Sequence, residues 1–365
     1  MKQLLATVLC VTFAWAAMAQ QPSANDIARA NEGTVGIIAG MEGGTYTRTA
    51  ADLTILDNDT LRVLPILGRG SLQNLSDILY LKGIDIGFVQ ADALTYAKQH
   101  NLFPGLTQNI RYIAKLYDEE IHILARKDIH RIEDLNGQRV NVDVNGSGSA
   151  MTADMLLTTL GIKADIEHAK QVDGLQALTH GDIAAIIQVA GAPQSLLADA
   201  PPNIGLHFLP VAVNQELART YLPAELSHDT YPTLIPTGQS VQTIAVGDVM
   251  AVFAWQPHSV RYNRVRRFVD AFFSRFDEFL QPPRHPKWRE VNLTAEVPGW
   301  IRFKPAHDWL MQRLAAGTAS GATQGQFDLF LSRTHPSASA QLAQSTKESL
   351  FQQFLQWSRQ HAAAR

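Results

Sequence analysis

An α/β fold of two lobes is what this sequence predicts, and three observations predict it. Strand-like and helix-like patterns alternate from Thr34 onward, the arrangement that gives sheets covered by helices on both faces. The 365 residues suit two lobes better than one core. Three glycine-plus-hydroxyl turns, Gly43-Gly44-Thr45-Tyr46, Gly70-Ser71-Leu72-Gln73-Asn74 and Gly146-Ser147-Gly148-Ser149, each follow an apolar run and open a helical segment. The sheets are therefore expected to be mixed and mostly parallel, with ligand beyond the carboxyl ends of the strands, where these turns lie.

The elements follow in order. A first strand over 34–39 leads into the first turn, and a second over 61–67 into the second. The helix after it carries Leu72, Leu75, Ile78 and Leu79 at helical spacing. Strands are expected over 84–89, 111–116, 121–125 and 139–144, with a short helix from Ile132 that ends at Gly137. The third turn opens a helix with Met151, Met155, Leu156 and Leu160 on one side. Strands over 164–168, 183–189 and 205–211 follow. Pro201, Pro202, Pro223, Pro232 and Pro236 mark 199–240 as irregular, a path by which the chain returns to the first lobe. Two further strands are expected over 242–246 and 249–253.

After Pro257 comes a long amphipathic helix with Val260, Val265, Phe268, Val269, Phe272, Phe273 and Phe276 as its apolar positions. Pro282 and Pro283 are expected to stop it, and Arg261, Arg264, Arg266 and Arg267 to form its solvated face. The tail beyond Trp288 is polar and helix-prone, and 341–361 reads as a final helix. No internal repeat is present.

The N-terminus reads as an export signal. Lys2 precedes an apolar run over 4–17, then Ala17-Met18-Ala19, with cleavage expected after Ala19. The run is too short for a stable membrane span. Cys10, the single cysteine, would leave with it, which removes disulfides and cysteine catalysis from consideration. The expected location is a periplasm. A net charge of -3 with 18% charged residues argues against a nucleic-acid partner.

The turns carry the chemistry. A helix N-terminus presents unpaired N–H groups and about half a positive charge. Glycine admits a ligand close to that backbone, and Ser or Thr adds hydroxyl donors. Three such ends suggest a pocket for a small anion, although strand-to-helix turns also use Gly and Ser for structural reasons alone. Enzyme signatures are missing: there is no Gly-x-Ser-x-Gly around Ser147 or Ser149, no His-Glu-x-x-His and no Gly-x-x-x-x-Gly-Lys, and the 12 histidines lack metal-ligand spacing. An exported hydrolase is thus the weaker reading, and no cofactor or metal is expected.

In this order the motifs acquire a family likeness. Gly43-Gly44-Thr45-Tyr46, Gly70-Ser71 with Asn74, Asp85 to Asp92, Leu116-Tyr117-Asp118-Glu119, Asp134 to Val140, Gly146-Ser147-Gly148-Ser149 and Gly191-Ala192-Pro193 run from about 33 to 253. The set resembles the TAXI family of solute-binding subunits of TRAP transporters. That resemblance implies a type II periplasmic-binding-protein fold: a first lobe over 33–119 plus 240–300, a second over 120–236, and a C-terminal helical extension over 301–365. It implies a monomeric receptor that binds a small carboxylate such as glutamate or 2-oxoglutarate by lobe closure and hands it to a TRAP membrane permease. Presentation of the ligand to a sensor kinase is the alternative output.

The ligand-binding residues so implied are Gly44, Thr45, Tyr46, Ser71, Asn74, Gln90 and Asp92 from the first lobe, and Ser147, Gly148, Ser149, Gly191 and Pro193 from the second. Three residues keep two readings. Arg48 stands where the family commonly has proline after its tyrosine, and either pairs with a carboxylate or points to solvent. Asp92 either reads an ammonium group or caps the next helix. Glu119, beside Glu120 where the chain crosses between lobes, either binds a ligand amine or serves structure.

Overall fold

The computed structural model describes residues 31–319 apart from Asn203, together with Ser23 and Asn25. The expected signal over 1–19 and final helix over 341–361 lie outside the described residues. The strands are β1 (Thr34–Ile38), β2 (Arg62–Ile66), β3 (Ile86–Gln90), β4 (Ile110–Arg126), β5 (Arg139–Asn141), β6 (Asp165–Glu167), β7 (Ala185–Ala190), β8 (Leu206–Phe208), β9 (Leu222–Ser227) and β10 (Ser240–Phe253). The main helices are α1 (Thr45–Asp52), α2 (Ser71–Tyr80), α3 (Ala93–Gln99), α4 (Gly148–Leu160), α5 (Gln171–His180), α6 (Val260–Ser274) and α7 (Lys304–Ala319).

The strands run in the order β2-β1-β3-β10-β4-β7-β5-β6, with β8 on β4 and β9 on β10. Parallel pairings join β1 to β2 and β3, and β5 to β6 and β7. Every antiparallel pairing involves β4 or β10. These two long strands make the sheet mixed and carry it from one half to the other.

Four segments depart from the sequence expectation. The pairs expected over 111–116 and 121–125, and over 242–246 and 249–253, are single strands. Asp118-Glu119-Glu120 reads as a break because it is acidic, but each residue has a partner. Lys115 pairs with Asp118 at 2.6 Å, Tyr46 donates to Glu119, and Lys287 donates to Glu120. β9 lies in the stretch expected to be irregular. It pairs only with β10, an edge position that tolerates Pro223.

Helix α6 stops at Ser274, before the prolines, because Phe276 and Phe279 turn back to pack on Phe272 and Trp288. Its arginines are not all solvated. Arg261 and Arg264 lie 3.8 and 3.6 Å from the buried Asp85 carboxylate, which also accepts the Gly36 N–H.

Alternation along the strands supplies a core on each face of the sheet. In β10, Met250 and Val252 join the cluster with α1, α6, Trp288 and Phe303, while Val249 and Ala251 join the one with α2, α3 and Trp300. In β4, Ile121 and Ile123 pack with α4, and Leu124 faces Phe208 and Tyr231. Helix α7 places Ala306 and Leu310 in the first of these cores. Among the described residues no helix is long and apolar enough to cross a membrane.

Candidate functional site

A cleft of about 480 Å³ opens where α1, α2 and α4 begin, between the two halves of the sheet. Of the residues expected to bind ligand, it gathers Gly44, Thr45, Tyr46, Gln90, Glu119, Ser147, Gly148 and Ser149 in one wall-to-wall arrangement. Helix α1 meets the cleft with its first turn uncapped by any side chain. In α4, Ser147 caps the helix by accepting from the Ala150 N–H at 3.1 Å, and Ser149 Oγ accepts from Val189 N–H at 3.0 Å. Ser149 therefore keeps its own hydroxyl proton to donate.

The halves are tied together around this cleft. Thr45 donates to the Gly191 carbonyl at 3.2 Å, Ser195 donates to the Gly43 carbonyl at 3.2 Å, and the Gln73 N–H donates to the Gly146 carbonyl at 3.2 Å. Gly70 and Gly148 bring the starts of α2 and α4 together, since a Cβ at Gly70 would sit 3.5 Å from the Gly148 nitrogen. A Cβ on Gly148 would fall 2.0 Å from Gln90 Oε1, so only glycine fits there without displacing the amide. Behind the cleft, Lys287 is 3% exposed and donates to Glu120, whose other oxygen accepts the Ala192 N–H at 2.8 Å. The Gly191-Ala192-Pro193 turn is thereby fixed from the rear.

The remaining expected residues lie outside the cleft, each for a physical reason. Arg48 points outward, because α1 buries Thr45, Tyr46, Thr49 and Ala50 and leaves Arg48 exposed. Asn74 is fully buried and donates to the Ala39 and Phe88 carbonyls at 2.8 and 2.7 Å, which ties β1 to β3. Asp92 makes no side-chain cap hydrogen bond and is not among the residues that line the cleft. It accepts instead from Thr152 at 2.9 Å and Tyr221 at 3.3 Å, and burial pushes its carboxyl up to about 6. Gly191 contributes only the carbonyl that Thr45 reaches, and Pro193 is exposed.

Ser71 positions Gln90 from behind. Its hydroxyl donates to Gln90 Oε1 at 2.9 Å and accepts the Gln90 N–H at 3.0 Å, which leaves the Gln90 amide donors for the cleft. Ser71→Ala is expected to cost about 1–3 kcal/mol by orphaning that buried N–H, and to weaken ligand binding several-fold. Chemical denaturation and titration of the variant read the two effects separately.

Glu119 sits where the acidic run of β4 passes under the cleft. Burial pushes its carboxyl up to about 8, against the pull of the Tyr46 hydroxyl that donates to it at 2.9 Å. Asp248 of β10 is fully buried beside it and is also raised, first by burial and then by the Glu119 charge. His122, in the same strand as Glu119, is lowered to about 4 by burial, and its Nε2 lies 2.7 Å from the Tyr231 hydroxyl.

Cleft residues that the sequence did not single out are Asp143, Gln171, Gln188 and Gln194, with the exposed Arg69 and Lys170 at the rim. Asp143 stands just ahead of the third turn, Arg69 just ahead of the second, and Gln194 directly after Gly191-Ala192-Pro193.

Solved structures share parts of this chain path. A putative periplasmic sulfonate-binding protein SsuA of a sulfonate ABC transporter from Methylobacillus flagellatus KT is 13% identical, over 79% of this chain and 87% of its own, with a TM-score of 0.40. A mutant of ArgBP from T. maritima is 14% identical, over 69% and 93%, with a TM-score of 0.40. The periplasmic VFT2 domain of BvgS from Bordetella pertussis is 12% identical, over 67% and 88%, with a TM-score of 0.40. The description of a protein family matches across both halves of the sheet and the cleft between them, from residue 37 to residue 298. The chain belongs to the NMT1-like family.

Proposed function

We propose that the protein is an extracytoplasmic solute receptor that binds a small carboxylate in this cleft and closes on it, without catalysing a reaction. One observation carries the reading. Helix starts and hydroxyls from both halves meet in a single crevice already bridged by the Thr45–Gly191, Ser195–Gly43 and Gln73–Gly146 hydrogen bonds. A ligand carboxylate there trades water for fixed N–H and hydroxyl donors, and its burial favours the closed form over the open one.

In this reading residues 33–119 with 240–300 move as one lobe and 120–236 as the other, with β4 and β10 as the connections that bend. The chain acts in a periplasm after loss of residues 1–19, as a monomer, and the closed form is what a TRAP-type permease recognises, as the resemblance to TAXI subunits implies. Gly44, Thr45, Tyr46, Gln90, Glu119, Ser147, Gly148 and Ser149 are the proposed contacts.

A thermal-shift screen of the mature protein against small carboxylates tests this. A ligand at a hundred times its dissociation constant adds about 2.7 kcal/mol, a rise of several degrees in melting temperature. No shift with any small carboxylate overturns the reading.

A further inference from the structure

The cleft is chemically lopsided. Gln90 and Gln194 each spend the side-chain oxygen within the protein, on Ser71 Oγ–H at 2.9 Å and on Leu197 N–H at 2.9 Å, so each offers amide donors. Asp143, Gln171 and Gln188 do the reverse. Asp143 Oδ1, Gln171 Oε1 and Gln188 Oε1 are buried acceptors without a hydrogen-bond partner, and all three residues line the same cleft. They come from three elements of the second half: the β5–α4 turn, the start of α5, and β7.

Asp143 is 7% exposed and Gln188 6% exposed, so water does not serve them freely. Asp143 also holds φ of 76°, a left-handed conformation that a non-glycine residue adopts where its surroundings enforce it. Its carboxyl also lies beside the Ser147 and Gln171 side chains and the Val144 N–H. A buried acceptor left unmatched costs about 1–3 kcal/mol, and an ionised one more, so three in one wall call for a guest that brings donors. The buried carboxyl side chains lining the cleft are Glu119 and Asp143, while its basic residues Arg69 and Lys170, like the acids Glu42 and Asp199, are exposed.

We infer that Asp143, Gln171 and Gln188 form a subsite for a nitrogen-bearing donor group, an ammonium or primary amide, on the ligand whose carboxylate the helix starts hold. This rests on the proposed receptor function and narrows it: the preferred guest carries an N–H group as well as its carboxylate, and Asp143 decides that preference. A dianionic keto acid would place a carbonyl or carboxylate oxygen against three acceptors and meet repulsion there.

Matched probes test it, with the full mature chain titrated calorimetrically against L-glutamate and 2-oxoglutarate, and against L-norvaline and 2-oxopentanoate. The nitrogen-bearing member of at least one pair is expected to bind at least about tenfold tighter, the equivalent of 1.4 kcal/mol. Asp143→Asn, which keeps the shape and suits the left-handed backbone, is expected to bring that ratio to within about threefold, because it relieves the repulsion met by the keto acid and weakens the hold on the nitrogen. Gln188→Met gives a second, independent loss of the ratio at near-constant volume. The inference is overturned if the keto acid binds equally well or better in the wild type, or if Asp143→Asn leaves the ratio unchanged. Binding of neither member of either pair also overturns the inference, while the receptor reading falls only if the wider carboxylate screen fails as well.

Discussion

Raising the pH from about 6 to about 9 is expected to lower the melting temperature of this protein, and Asp248→Asn to flatten the decline. Asp248 is fully buried, and neither of its carboxylate oxygens makes a hydrogen bond. Around it stand Glu119, the Tyr46 and Tyr117 hydroxyls, and Lys115. Only Lys115 is cationic, and it is committed to Asp118 at 2.6 Å. Glu119 in turn faces Tyr46, Glu120, Lys287 and Asp92. With burial dominant for both, the folded protein keeps protons that the unfolded chain releases.

The sign follows directly. Glu119 holds its proton up to about 8 in the folded state against an ordinary 4.5, so between those values the folded state binds more protons. Its stabilisation is complete below the lower value and is lost as pH rises toward the upper one. The slope approaches 1.4 kcal/mol per pH unit for each proton involved, roughly. Asp92, raised to about 6, acts in the same direction at lower pH. The opposite limb comes from His122 and His285, both lowered to about 4, which cost stability as pH falls below the usual imidazole value. Between about 4.5 and 6 the histidines and the raised acids oppose one another, so calorimetric melting should show its clear alkaline decline above about 6.5, where the histidines no longer offset Glu119 and Asp248. A flat alkaline limb in the wild type, or one unchanged by Asp248→Asn, contradicts the account.

Gly148→Ala is expected to weaken ligand binding by more than about tenfold and to leave the fold intact. The new methyl would lie 2.0 Å from Gln90 Oε1 and 2.8 Å from Ser71 Oγ. Gln90 is 1% exposed and held by two hydrogen bonds to Ser71, so it has little room to withdraw. Either its amide donors leave the cleft or the halves stay apart, and both outcomes lose the guest. The clash is confined to the Gln90 and Ser71 side chains, so the melting temperature without ligand should fall by only about 1–3 °C, the effect of about 1 kcal/mol in a chain of this size. Wild-type affinity in the variant would show that the two helix starts do not meet in the bound state.

Much of the path was legible because local rules act locally. The glycine turns were found as strand-to-helix junctions, and the strands around them follow from apolar runs between turn residues. The merged β4 and β10 were not legible, because the acidic residues that look like an interruption are matched by Tyr46 and Lys287, distant in sequence. Asn74 and Asp92 sit in the expected motif yet serve the frame. Their hydrogen bonds run to Ala39, Phe88, Thr152 and Tyr221, and no spacing announces such partners. Gln171 and Gln188 give no signal at all in one dimension, since glutamine is as common on a surface as in a cleft.

Taken alone, the sequence determined the alternation of strand and helix, the α/β class, and the positions where helices begin with glycine and a hydroxyl. Periodicity and backbone sterics depend on neighbours a few residues apart, and those neighbours are written in order. Tertiary structure decided which of the marked side chains face the crevice, which carboxyls keep a proton, and which acceptors stay unmatched. Burial and long-range partners fix those properties, and they exist only once β4 and β10 have brought the two halves together.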